Sequence, residues 1–112
     1  MYTQQGNKLV GTAVAGIGLQ GYSVSLWGDS VAIGGPLENT NIGAVWVFTR
    51  NAGTWSQQGS KITASGSIGS ALRFGFSVSL QRDILVVGAQ TEHSTGAVYF
   101  LTRSGSTWTQ QQ

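Results

Sequence analysis

The side chains able to do acid–base or recognition chemistry are few, and most recur. All four carboxylates come in pairs 54 positions apart, Asp29 with Asp83 and Glu38 with Glu92, and the one histidine, His93, follows Glu92. Repeated carboxylates beside a histidine, with Ser94 and Thr95 next in the chain, are the residue types of a hydrolytic site. The spacing argues against one. A nucleophile, base and orienter must converge from separate elements, whereas neighbours in an extended loop point apart. The aspartates are expected to cap turns, since a short carboxylate bonds readily to local backbone amides. Glu38, Asn39, Glu92 and His93 are expected on loops lining one rim of an assembled molecule. No catalytic residue, metal-ligand set or cofactor is expected, and a hydrolase using the rim carboxylates is kept only as a remote alternative.

The aromatic residues repeat as well. Tyr2, Trp55 and Trp108 share one position of a repeat, and Trp46 and Tyr99 share another. Packing is the expected role, because aromatics carry large buried area and favour strands. The competing role, stacking of a partly exposed Trp55 or Trp108 on a sugar face, would make the chain a carbohydrate-binding lectin. Trp27 has Gln81 as its counterpart, so the repeat does not require it and it is the better candidate for an exposed contact. Arg50 and Arg103 are expected to pair with a loop carboxylate or to lie over apolar surface. Gly34-Gly35 lacks the strand-to-helix setting of a phosphate loop, which excludes nucleotide binding of that kind.

These residues sit in a sequence that is written twice. Gly21-Tyr22-Ser23-Val24-Ser25-Leu26 returns as Gly75-Phe76-Ser77-Val78-Ser79-Leu80, a shift of 54 (75 − 21), and Gly43-Ala44-Val45-Trp46 returns as Gly96-Ala97-Val98-Tyr99, a shift of 53 (96 − 43). A third partial copy lies across the ends: Tyr2-Thr3-Gln4-Gln5-Gly6 matches Trp55-Ser56-Gln57-Gln58-Gly59, and Trp108-Thr109-Gln110-Gln111 matches both. The chain is expected to start inside one unit and stop after re-entering another, so that a borrowed strand latches a ring.

Composition bounds the rest. The 112 residues contain no cysteine, which excludes disulfides and thiolate metal sites. Only 9% are charged, with net charge +2 and scattered basic residues, too dilute for a nucleic-acid footprint. Apolar runs are strand-sized, and the N-terminus lacks the pattern of a signal peptide, so neither a membrane span nor a leader is expected.

Alternation at period two through Tyr22–Leu26 and Phe76–Leu80, with helical spacing nowhere sustained, predicts strands at about 21–27, 30–35, 43–50 and 54–63, then 74–80, 84–89, 96–103 and 107–112. Residues 2–10 are predicted as a further copy of the fourth strand. Val31-Ala32-Ile33 and Ile84-Leu85-Val86-Val87 are apolar on both faces, so each sheet needs a layer on either side. The unit divides as 1–20, a strand completing a blade plus a connector, 21–63, a first blade, and 64–112, a second.

The Gly21–Leu26 and Phe74–Leu80 segments, the Ile33-Gly34-Gly35-Pro36 step and Gly43-Ala44-Val45 resemble the FG-GAP repeat, the family of integrin-type β-propellers. The resemblance implies an all-β propeller of four-stranded antiparallel blades, two per chain, and an extracellular setting. Family members commonly bind calcium in the first hairpin through several aspartates. Calcium takes about six to eight oxygen ligands, and this chain offers Asp29 or Asp83 alone, so the metal is not carried over. Two blades cannot close a ring, so the expected partner is the chain itself, as a homotrimer of six blades or a homotetramer of eight. The trimer is favoured because fewer chains lose less translational freedom. A non-enzymatic self-assembling binding module or scaffold is the expected function. The alternatives are a lectin with sites between blades and, remotely, a fragment of a larger adhesion propeller.

Overall fold

A computed structural model describes residues 2–65, 72–90 and 95–111. Within them the alternating segments form eight strands: β1 Ser23–Trp27, β2 Ser30–Gly35, β3 Ala44–Asn51, β4 Thr54–Gln57, β5 Phe74–Gln81, β6 Ile84–Ala89, β7 Ala97–Ser104 and β8 Thr107–Gln110. They make two four-stranded antiparallel meanders, β1-β2-β3-β4 and β5-β6-β7-β8. Among the described residues the fold is all-β apart from one short turn at Glu38–Asn41, where Asn39, Thr40 and Asn41 take left-handed conformations.

Tight hairpins follow from local chemistry. The β1–β2 and β5–β6 connections are two residues each, and their first residues, Gly28 and Arg82, both take positive φ. The β3–β4 turn likewise uses Ala52 and Gly53, and the β7–β8 turn begins at Gly105. Left-handed turn residues suit the right-handed twist of the strands they join.

Pairing fixes which side chains share a face. Val24, Ile33 and Trp46 lie opposite one another, as do Leu26, Val31 and Phe48, whereas Ser23, Gly34 and Val45 point the other way with Ser25, Ala32 and Val47. In the second sheet Val78, Val87 and Tyr99 share a face with Leu80, Leu85 and Leu101; Ser77, Gly88 and Val98 share the reverse with Ser79, Val86 and Phe100. The two sheets stack. The main core joins Ala32, Val45, Val47 and Ile62 of the first to Phe74, Leu80, Leu85, Val87, Tyr99 and Leu101 of the second. A smaller cluster on the far side of sheet one, around Ile33, Trp46 and Phe48, is roofed by Leu9.

Two strand predictions differ from the structure. The fourth strand, predicted over 54–63, ends at Gln57. There Gln57 Nε2 donates to the carbonyl of Gly59 and the chain bulges outward, before Ile62 returns to pair with Val45 as an isolated bridge. Residues 2–10, predicted as a strand, form none, because no third strand lies beside them to supply ladder bonds. They nevertheless hold the repeat's place. Leu9 roofs the smaller cluster as Ile62 joins the main one. Thr12 N–H donates to Gln57 Oε1 as Ser65 N–H donates to Gln110 Oε1, both at 3.0 Å.

Candidate functional site

The repeat places its charged pairs at one end of each sheet. Arg50 reaches Asp29 at 2.5 Å and Arg103 pairs with Asp83, and in each case the arginine's backbone N–H also donates to that aspartate's carbonyl. The first-hairpin aspartates are therefore tied to arginines at the end of the third strand: the expected pairing of Arg50 and Arg103 with a loop carboxylate is present, and the Asp29 and Asp83 carboxylates bind guanidinium groups in place of the expected bonds to local backbone amides. Among the described residues no three carboxylates or histidines gather where a cation could be held.

Glu38 departs from its expected place on a rim. It is wholly buried and ion-paired to Lys61 Nζ at 2.5 Å, while the same ammonium donates to the carbonyl of Ala13. The segment before β1 wraps over the loop, with Asn39 N–H donating to Ala15 O, and this closes Glu38 off from water. Its Oε2 has no hydrogen-bond partner among the described residues. Asn39 stays exposed in a left-handed conformation, so of the expected rim cluster it alone is shown at the surface. Glu92 and His93 lie outside the described residues.

Trp27 is exposed, at 39%, with the Arg82 guanidinium 5.6 Å from its ring centroid. Trp55 and Trp108 are half-buried and use their indole N–H groups alike: Trp55 Nε1 donates to Gln5 Oε1 at 2.9 Å and Trp108 Nε1 to Gln58 Oε1 at 3.1 Å. Each glutamine–tryptophan clamp borders a cleft. One, of about 520 Å³, is lined by Gln58, Lys61, Thr63, Ser65, Trp108 and Gln110. Its counterpart, of about 370 Å³, is lined by Gln5, Asn7, Lys8, Leu9, Thr54 and Trp55. Arg50 lies 5.5 Å from the Trp55 ring centroid and takes up one face of it.

The residues that sequence reasoning did not single out are the apolar ones left bare. On sheet one Val24 (63% exposed) and Leu26 (66%) face away from the core; on sheet two Val98 (62%) and Phe100 (54%) do the same at the opposite end. Their signal was present in the repeat, since each is the counterpart of a residue packed between the sheets: Val78, Leu80, Val45 and Val47. No helix among the described residues is long and apolar enough to cross a membrane.

No curated protein matches the sequence. Residues 55–101 match the family model for the FG-GAP repeat, a window running from β4 through most of β7, so that its repeat starts on the outer strand of one sheet and continues into the next. One repeat earlier, by a shift of 53, the same window covers residues 2–48 and takes in the segment that roofs sheet one. The sheet order and the paired turns are consistent with that match: residues 55–101 carry an FG-GAP repeat.

Proposed function

We propose that the chain is a non-enzymatic binding module of β-propeller type whose ring is completed by copies of itself. The observation that supports this is the pair of bare apolar faces at opposite ends of the sheet stack, each the repeat counterpart of a face buried inside it. Contiguous apolar surface of this kind marks an interaction site, and closure by further sheets removes it from water. The chain has a mass of 11.7 kDa, so three copies weigh 35.1 kDa and four weigh 46.8 kDa. Light scattering after gel filtration is expected to give one of these masses, and a particle of 11.7 kDa at micromolar concentration overturns self-assembly.

A second reading, a carbohydrate-binding module, draws on the two clefts. Each sets an indole beside amide and hydroxyl side chains and a lysine, a donor-rich surface suited to a polyhydroxylated ligand. A glycan array with tryptophan fluorescence decides it. Quenching that is lost in Trp108→Ala supports this reading, and silence across a broad panel removes it.

A further inference from the structure

The contacts between the two sheets are themselves a template for the next contact outward. Ser23 Oγ donates to the carbonyl of Gly75 at 2.8 Å, and the backbone N–H of Leu80 donates to Ser25 Oγ at 3.0 Å. The two serines of the Gly-aromatic-Ser-Val-Ser-Leu segment thus reach across to the innermost strand of the neighbouring sheet, while Val45, Val47 and Ala32 supply the apolar contact. Advancing that set by one repeat gives Ser77, Ser79, Val86, Val98 and Phe100, which form the outer face of sheet two. Moving its receivers back by one repeat turns Gly75, Val78 and Leu80 into Gly21, which lies just before β1 with its N–H on the Gly34 carbonyl, and Val24 and Leu26 on the outer face of sheet one. Donor and receiver are thus both present, at opposite ends of one chain, and both uncovered.

We infer that Ser77, Ser79, Val98 and Phe100 of one copy dock on Gly21, Val24 and Leu26 of a second copy, with Ser77 Oγ donating to the Gly21 carbonyl and Ser79 Oγ accepting from the Leu26 N–H. This rests on the self-assembly proposed above and specifies its interface. The contact is heterologous: two different patches meet, the docked pair still carries one free patch of each kind, and addition continues in the same sense until the ring closes. Residues 5–12 of the receiving copy supply the stretch that 58–65 supplies between the two sheets of one chain, because Gln5 already clamps Trp55 as Gln58 clamps Trp108.

The test uses the full chain and two single variants, Leu26→Glu, which blocks the receiving face, and Phe100→Glu, which blocks the donating face. Both positions are solvent-facing, and retention of the wild-type far-ultraviolet spectrum and cooperative melt reports folding; Ser79→Glu serves as a second donor-face variant. Each variant alone is expected at 11.7 kDa. Mixed in equal amounts, Leu26→Glu and Phe100→Glu are expected to form a particle of two chains, 23.4 kDa, and no larger, since the mixture retains one intact contact. A monomeric wild-type chain overturns self-assembly and this interface together. A wild-type assembly that persists in Leu26→Glu and in Ser79→Glu overturns the interface alone, as does a mixture that stays at 11.7 kDa while the wild-type chain assembles.

Discussion

At the scale of single residues the two repeats differ by a compensated exchange of volume. Trp46 in sheet one is flanked by Gly11 and Gly35, where an added Cβ would lie 2.2 Å and 2.9 Å from the indole. In sheet two the same three positions hold Tyr99, Ala64 and Ala89. The larger ring goes with two missing methyl groups and the smaller ring with two present, as close packing demands. Gly11→Ala is expected to cost about 1–3 kcal/mol through overpacking. Adding Trp46→Tyr is expected to recover part of it, a coupling that a double-mutant cycle by denaturant melts reads directly. Lys61 carries a second prediction. Lys61→Ala leaves the buried Glu38 carboxylate without its cation and is expected to cost about 3–5 kcal/mol, whereas Glu38→Gln with Lys61→Met costs much less. That pair was not legible in the sequence, because nothing in a polar loop identifies which distant ammonium will seal it. The Asp–Arg pairs were legible in part: both partners repeat together and pairing with a loop carboxylate was one of two expected roles for each arginine, but which carboxylate it would be depends on the hairpin register.

At the scale of elements, the meanders could be read from alternation and turn residues, and each observed strand falls within about two residues of its predicted limits except at β4. What alternation could not supply was the bulge after Gln57 and the irregular course of residues 2–12. Both depend on hydrogen bonds made outside the segment: Gln58 N–H donates to Val47 O, and Gln57 accepts from Thr12. The bulge turns at Gly59, at φ +74, where an added Cβ would lie 2.6 Å from the Ser106 carbonyl. Its counterpart Gly6, at φ +77, meets nothing within 4 Å. Both alanine variants suffer the same backbone strain, so the difference isolates the clash. Gly59→Ala is therefore expected to melt several degrees below Gly6→Ala in calorimetry, and equal melting temperatures would remove the claim that the bulge is pinned against the neighbouring hairpin.

At the scale of the whole molecule, the doubled sequence already implied that a sheet apolar on both faces must be covered on both. It could not say how much of that cover the chain supplies to itself. The structure divides it: the inner pair of faces forms the main core, Leu9 and Gly11 roof part of sheet one around Trp46, and Val24, Leu26, Val98 and Phe100 remain bare. If copies cover what remains, folding and association are linked, since an assembly binds the native chain and not the unfolded one. Each tenfold rise in concentration then adds up to about 1.4 kcal/mol per chain, which for a domain of this size corresponds to several degrees in melting temperature. The melting temperature of the wild-type chain is expected to rise with concentration over a hundredfold range, and that of Leu26→Glu to stay constant at the value of the isolated chain. A wild-type melt independent of concentration, together with a mass of 11.7 kDa, would mean that two stacked sheets with bare flanks are stable in water on the strength of their one shared core.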